Sequence, residues 1–507
     1  MCSSGVFHSA PGPATPSSIS GSGRTTIPPA RLLLSPQTTS PNSEKHLYYF
    51  GLCGNRHLGP KLVFRTSTDV FTPPTGPEHD PRLMQLLGVY NHDKLGQDNL
   101  WATIREEVVQ LLDNREIQQT SVDLVRFRWD EQNSDGGRET VTSCVTIWVG
   151  VLPDSTTGDT AFKSSKDILQ LLKQHSIHDI DVAYRESVAQ PFTGPELLPI
   201  AGLETLHMQG TLGFYFRVGD DLYGVMACHM LFPADQGNSS YTYIAGPKKQ
   251  VILMGNRAFD HFLASIQAKI GNQNTTVTFL EKHAAAYKKK ADASNEQGAT
   301  ELVATKDDMK NRKKAIEALK AFFITMKKNW SEVNDRIIGQ VVWAPPITGL
   351  NAPHGYTKDV CIIKLDKKKF WPNFMGNVID LGTEIDPSTF MSLIGILTAA
   401  QIRQPNNQDL KGDPVRFVIK CGHTTFTTIG HLAGFESHQR RYSLVGTFNS
   451  IEAAIYPYDN DSSPFSRGGD SGVLIASPKG EFAALLSGGT GLTDSSDITY
   501  GTPMYWL

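Results

Sequence analysis

Between residues 259 and 333 the chain abandons the alternation that governs the sequence on either side. Apolar residues recur three and four apart at Phe259, Leu263, Ile266, Ile270, Val277, Leu280, Ala284 and Tyr287, and again at Met309, Ile316, Leu319, Phe323, Met326, Trp330 and Val333. That spacing lays an apolar seam along each of two helices, as in a coiled coil, and each seam needs a surface to cover it. The break at Asn295 to Gly298 lets the helices fold back on each other, so an antiparallel hairpin is expected over 256–335. Before it stand "GTLGFYFRV", a "GDD" turn and "LYGVMACHML", and strand patterns return from about 336 to the end. The hairpin therefore interrupts one β-rich domain, 205–507. It is read as a docking arm for a protein partner or as a decoration, with Lys288 to Lys290 on a solvated face.

Upstream, from 46 to 190, the period switches repeatedly. "KLVFRTS" (61–67) reads as a strand, "DNLWATIREEVVQLLDN" (98–114) as an amphipathic helix, and "SVDLVRFRW" (121–129) and "TVTSCVTIWVGVL" (140–152) as strands. A helix follows at 164–175, where Ser164 and Asp167 have capping-box spacing, and "IHDIDVAYRE" (177–186) reads as the last strand. The order β-α-β-β-α-β predicts a ferredoxin-like α/β plait. Prolines at 191, 195 and 199 mark a linker, 191–204. The whole is a multidomain α+β chain, as its 507 residues require.

A net charge of −3 offers no basic surface for nucleic acid, and no stretch is apolar enough for a transmembrane helix. The six cysteines, Cys2, Cys53, Cys144, Cys228, Cys361 and Cys421, lie far apart, without metal or redox spacing, and read as free, mostly buried thiols. No cofactor or metal is expected, and the setting is intracellular, in the cytoplasm. Residues 1–45, rich in serine and proline, read as a disordered tail; a mitochondrial transit peptide is the alternative, against which the prolines argue.

The chemistry is concentrated in three short stretches. "RGGDSGVLI" (467–475) sets Ser471 between an aspartate and a glycine, after two further glycines. A serine hydroxyl is a poor nucleophile until an imidazole takes its proton and a carboxylate fixes the tautomer of that imidazole. "YGVMACHMLF" (223–232) supplies His229 at the end of an apolar strand, and "KDVCIIKLD" (358–366) supplies Asp359 ahead of another. A histidine after a strand is more often structural, and an aspartate before one is a common turn residue. In the chain order His, Asp, Ser the three point together to acyl transfer.

These stretches resemble the trypsin-like serine proteases of the chymotrypsin superfamily. "GTLGFYF…LYGVMACHMLF" is similar to the hairpin leading to the catalytic histidine, "DVCIIKL" to the aspartate motif and "GGDSGVLI" to the nucleophile motif. "CGHTTFTTIG" (421–430) resembles a Gly-x-Thr-Thr strand of bacterial and fungal members. The resemblance covers about 205–507 apart from the hairpin. It implies a double β-barrel and a serine endopeptidase acting on a peptide or protein substrate. His229 would be the general base, Asp359 its orienting acid and Ser471 the nucleophile, with the N–H groups of Gly469 and Ser471 as oxyanion hole. Ser487, Gly488 and Gly489 would form an edge for an extended substrate, with Gly501 in the same wall, and Phe465 would disfavour basic side chains. Asp470 would anchor the turn through an ion pair, with Arg467 as its expected partner. The gap from His229 to Asp359 is about twice that of the family, and the hairpin accounts for the excess. An idle protease-fold scaffold binding peptides is the other reading. An esterase is disfavoured by the chain order and by the lack of Gly-x-Ser-x-Gly.

Overall fold

The computed structural model describes residues 42–52, 59–74, 82–90, 92–132, 137–190, 200–232, 237–293, 295–370, 374, 376–379, 391–392, 396–409, 411–422, 424–443, 446–491 and 497–507, with Thr25 and Thr26. Most of the expected tail, the proline-rich stretch 191–199, Cys2 and Cys53 lie outside the described residues.

The fold is a mixed α+β one. Its first part contains β1 (Leu62–Arg65), α1 (Leu100–Asn114), β2 (Gln119–Gln132), β3 (Arg138–Thr142), β4 (Val145–Val151), α2 (Gly158–Gln174) and β5 (Ile180–Glu186). The stretch 140–152 is two strands, because Ser143 turns its Oγ to accept from Phe127 N at 2.9 Å and breaks the ladder. α2 starts earlier than its sequence reading. Thr157 caps it by accepting from Thr160 N, whereas Ser164 is buried inside the helix and accepts from Tyr184 Oη at 2.8 Å.

The sheet order corrects the ferredoxin-like expectation. β1 pairs antiparallel with β5, β5 parallel with β4, and β4 antiparallel with β2. In a plait the first strand would lie between the third and the fourth; here the fourth, β5, lies between β1 and β4. Burial gives the reason. Every residue of β4 and β5 is buried, as suits parallel neighbours covered on both faces, while three of the four residues of β1 are half-exposed. Ile104, Val108 and Leu112 of α1 and Ile168 and Leu172 of α2 cover one face, over Ile147, Val149 and Val182.

The first part ends on β6 (Val188–Gln190), and the second begins with β7 (Ile200–Gly202), β8 (Thr205–Gly210), β9 (Phe214–Val218), β10 (Asp221–Met226) and β11 (Gln250–Leu253). Two long helices follow, α3 (Asn256–Asp292) and α4 (Glu296–Trp330). They form the expected hairpin, with Asn295 capping Gly298 N at 2.9 Å and Phe259, Ile266, Val277, Ile316 and Met326 buried along the seam. At about 1.5 Å per residue, the 37 residues of α3 reach roughly 55 Å. Buried Arg336 locks the base of the hairpin, donating to Met254 O at 3.1 Å and Trp330 O at 2.8 Å. β12 (Ile337–Ala344) and β13 (Cys361–Leu365) return the chain to the sheet, whose order is β8-β7-β11-β12-β13-β10-β9.

From Phe417 onward the strands are β14 (Phe417–Gly422), β15 (Phe426–Leu432), β16 (Ser437–Ser443), β17 (Gly446–Pro457), β18 (Leu474–Ala476), β19 (Phe482–Gly491) and β20 (Ile498–Pro503). Six of them pair in a closed ring, β14-β15-β17-β20-β19-β18 and back to β14. Leu432, Ile455, Phe465, Val473, Ile475 and Leu486 fill its interior.

The first part is not a separate lobe. Its β2 pairs antiparallel with β16, and its last strand, β6, pairs with β19. Arg185 of β5, fully buried, lies over the Trp148 ring at 3.5 Å and reaches Asp497 at 2.9 Å. Asp123 of β2 accepts from Tyr500 Oη of β20 at 2.8 Å.

Candidate active site

His229 follows β10, in a short helical turn, and Asp359 precedes β13; β10 and β13 are paired, with Met226 opposite Cys361. That pairing brings together two residues 130 positions apart. Asp359 Oδ2 lies 2.5 Å from His229 Nδ1, and its Oδ1 accepts from His229 N at 3.0 Å. Burial alone would raise the Asp359 carboxyl, but the imidazole and these two bonds, with Arg441 beyond, hold it below the ordinary carboxylate range. The geometry leaves Nε2 as the nitrogen free to face a reactant.

Ser471 stands on a turn just before β18. Gly469 has φ +96° and Gly472 φ +83°, so the second left-handed residue falls after the serine and not at Gly468. A side chain at Gly472 would meet Ala227 N at 2.7 Å and Thr211 O at 2.9 Å. Ala227 is two residues from His229, which fixes the serine turn against the histidine segment. Thr211 N donates to Ser471 O at 3.0 Å, and Thr211 Oγ1 to Gly469 O at 3.1 Å, closing the turn from the other side. The N–H groups of Gly469 and Ser471 donate no backbone hydrogen bond among the described residues. Ser471 Oγ and His229 Nε2 are both buried and both without a hydrogen-bond partner there. No hydrogen bond thus joins Ser471 Oγ to His229 Nε2 in this conformation.

The partner of Asp470 is Lys420, which corrects the expectation of Arg467. Lys420 Nζ lies 3.2 Å from Asp470 Oδ2, and neither side chain has any exposure. Asp470 also accepts from Thr424 N at 2.8 Å, from Thr425 Oγ1 at 2.6 Å and from the backbone N of Arg467 at 3.1 Å. Burial pulls the Lys420 ammonium below its ordinary pKa, and Asp470 offsets part of that. Gly422 makes the room, since a Cβ there would sit 2.4 Å from Asp470 Oδ1 and 2.9 Å from Lys420 Nζ. The sequence signal is a lysine two residues before a glycine on one face of a strand, which reads as unremarkable until the strand is placed. Ile200 is the buried first residue of β7.

The residues assigned to substrate are placed less favourably. Phe465 is buried in the interior of the ring, against Gly430, so it belongs to the core. Ser487 Oγ donates to Tyr500 O at 3.2 Å, and Gly501 is buried between Ala453 and Leu486. Gly488 and Gly489 pair with Tyr500 and Thr499 on one side, and Gly489 is already paired with Gln190 on the other. The free edge expected at 487–489 is therefore only partly free. Burial raises the thiol pKa of both Cys228 and Cys361, with Asp359 adding to the effect, so neither behaves as an activated thiol beside His229.

No family model matches the chain, and no curated protein matches it. Among solved structures it is similar to one described as alpha-lytic protease homolog N4, with a TM-score of 0.25 and 11% sequence identity, over 61% of this chain and 92% of that one.

Proposed function

We propose that the chain is a serine endopeptidase built on two chymotrypsin-like barrels, the second being the closed ring of β14, β15, β17, β18, β19 and β20. His229 is its base, Asp359 the orienting acid and Ser471 the nucleophile. The observation that carries this reading is the packing of the Ser471 turn against Ala227, two residues from the bonded His229–Asp359 pair, with Ser471 Oγ buried and, among the described residues, neither it nor the N–H groups of Gly469 and Ser471 given a partner. Ser471 Oγ attacks the peptide carbonyl carbon as Nε2 of His229 takes its proton. The C–N bond breaks, the imidazolium gives the proton to the leaving amine, and water hydrolyses the acyl-enzyme by the same relay. The N–H groups of Gly469 and Ser471 face the developing oxyanion, a contribution of about 10²–10³ in rate per donor.

The unmade Ser471–His229 bond favours a second reading, a protease fold kept as an idle peptide-binding scaffold. Covalent labelling with a fluorophosphonate probe separates the two. Labelling of the wild-type chain and not of Ser471→Ala supports the enzyme; a folded wild-type chain that stays unlabelled supports the scaffold.

A further inference from the structure

β19 runs directly past the nucleophile. Gly472 N donates to Leu486 O at 2.9 Å, and Leu486 N donates to Val473 O at 3.0 Å. One side of β19 is taken by β20 from Ala484 to Thr490. The other is taken by β18 up to Leu485, bears no strand at Ser487 and Gly488 among the described residues, and is taken again by β6 from Gly489 to Gly491. A strand has two edges, so β18, the gap and β6 lie on one line, with Ser471 beside the gap.

β6 pairs antiparallel, Val188 opposite Gly491, Ala189 opposite Thr490 and Gln190 opposite Gly489. The N-to-C direction of β6 therefore runs along β19 toward the gap and Ser471. An extended peptide delivered to Ser471 along this edge needs the backbone groups that β6 already holds. We infer that Val188–Gln190 is a built-in substrate mimic, and that an outside peptide binds fully only after β6 has left the edge. This rests on the endopeptidase reading. The arrangement also explains why the first part of the chain is tied to the ring through β2, Arg185 and Asp123: these contacts hold β6 in register.

Alternate residues of a strand point their N–H groups at the same neighbour, so one of Ala189→Pro and Gln190→Pro must remove a donor aimed at β19. Each full-length variant is compared with the wild type on fluorescein-labelled casein, which needs the edge, and on a fluorophosphonate probe, which needs only Ser471. The expected result is casein hydrolysis about tenfold faster in at least one variant, with probe labelling unchanged, the scale of one or two backbone bonds. Unchanged or slower casein hydrolysis with normal labelling overturns the inference and leaves the endopeptidase standing. If no form is labelled, the endopeptidase reading itself has failed. A measurement without substitution guards against misfolded variants: hydrogen exchange of Val188–Gln190 should accelerate when a peptide aldehyde occupies Ser471, and unchanged exchange overturns the inference. Cleavage of the wild-type chain between residues 190 and 200, absent in Ser471→Ala, would make β6 the bound end of a substrate and would likewise overturn its inhibitory role.

Discussion

Lys420→Met tests the anchoring of the nucleophile turn. The pair it breaks is separated by 3.2 Å and has no solvent exposure on either side. At an effective dielectric constant near 20, two unit charges at that distance attract by about 5 kcal/mol, and removing one partner of a buried pair costs about 3–5 kcal/mol. Four hydrogen bonds to Asp470 survive, from Thr424 N, Thr425 N, Thr425 Oγ1 and Arg467 N, so the lower end of that range applies to the intact fold. The remaining carboxylate can escape its position only by moving the turn 467–472, which carries the two N–H groups proposed as the oxyanion hole. Lys420→Met should therefore lose about 3 kcal/mol in urea unfolding and label with fluorophosphonate about 10² more slowly. Adding Asp470→Asn should recover part of the stability, since an amide tolerates the site without a cation, giving a coupling of about 2 kcal/mol or more in the double-mutant cycle. A Lys420→Met protein within about 1 kcal/mol of wild type and labelled at the wild-type rate would refute this account of the turn.

Other perturbations follow from the same geometry. Asp359→Asn should slow labelling by about 10⁴ with little change in folding, because the imidazole loses its oriented tautomer; a loss under tenfold would separate Asp359 from the chemistry. Burial lowers His431 to about 4 and His438 to about 3, from an ordinary 6.5, so the stability they contribute is intact above 6.5 and is lost as pH falls through those values. Burial raises Glu452 to about 7, which acts in the opposite sense between 4.5 and 7, but two histidines outweigh one glutamate. The urea midpoint should thus fall between pH 6.5 and 4, by about 3 kcal/mol or more of stability, and a flat profile would contradict it. Arg185→Met should cost at least about 3 kcal/mol by stranding Asp497 and Asp123 at the joint between the two parts of the chain, read by thermal or urea unfolding. Replacing residues 266–320 by a short turn, which spares Phe259, Met326 and the Arg336 lock at the base, should leave the labelling rate within about twofold, because a hairpin end remote from β10 and β13 does not support the site.

Periodicity alone located the hairpin almost to the residue, since a seam repeated over seventy positions has only one way to be covered. Local pattern also marked the strands that carry His229 and Asp359 and the glycine turn beneath Ser471, because backbone conformation there is a short-range property. It gave four strand segments of the first part in chain order but could not give their arrangement. Whether β5 or β1 sits beside β4 depends on which strand is buried on both faces, and that is decided by helices and by a sheet partner more than 250 residues away. The same holds at the site. Lys420 and Asp470 are 50 positions apart and each is unexceptional in its own stretch; only the closing of the ring makes them a buried pair. Phe465 reads as a pocket wall in sequence and has the burial of a core residue, and β6 has the look of the end of a domain while it occupies an edge of the strand that passes Ser471. The sequence by itself determined which residues could do chemistry and which segments could be helix or strand, because propensity and periodicity act over a few residues. Tertiary structure decided which cation anchors the turn and what lies along the edge, because burial and pairing are set by neighbours that the chain brings together only when it folds.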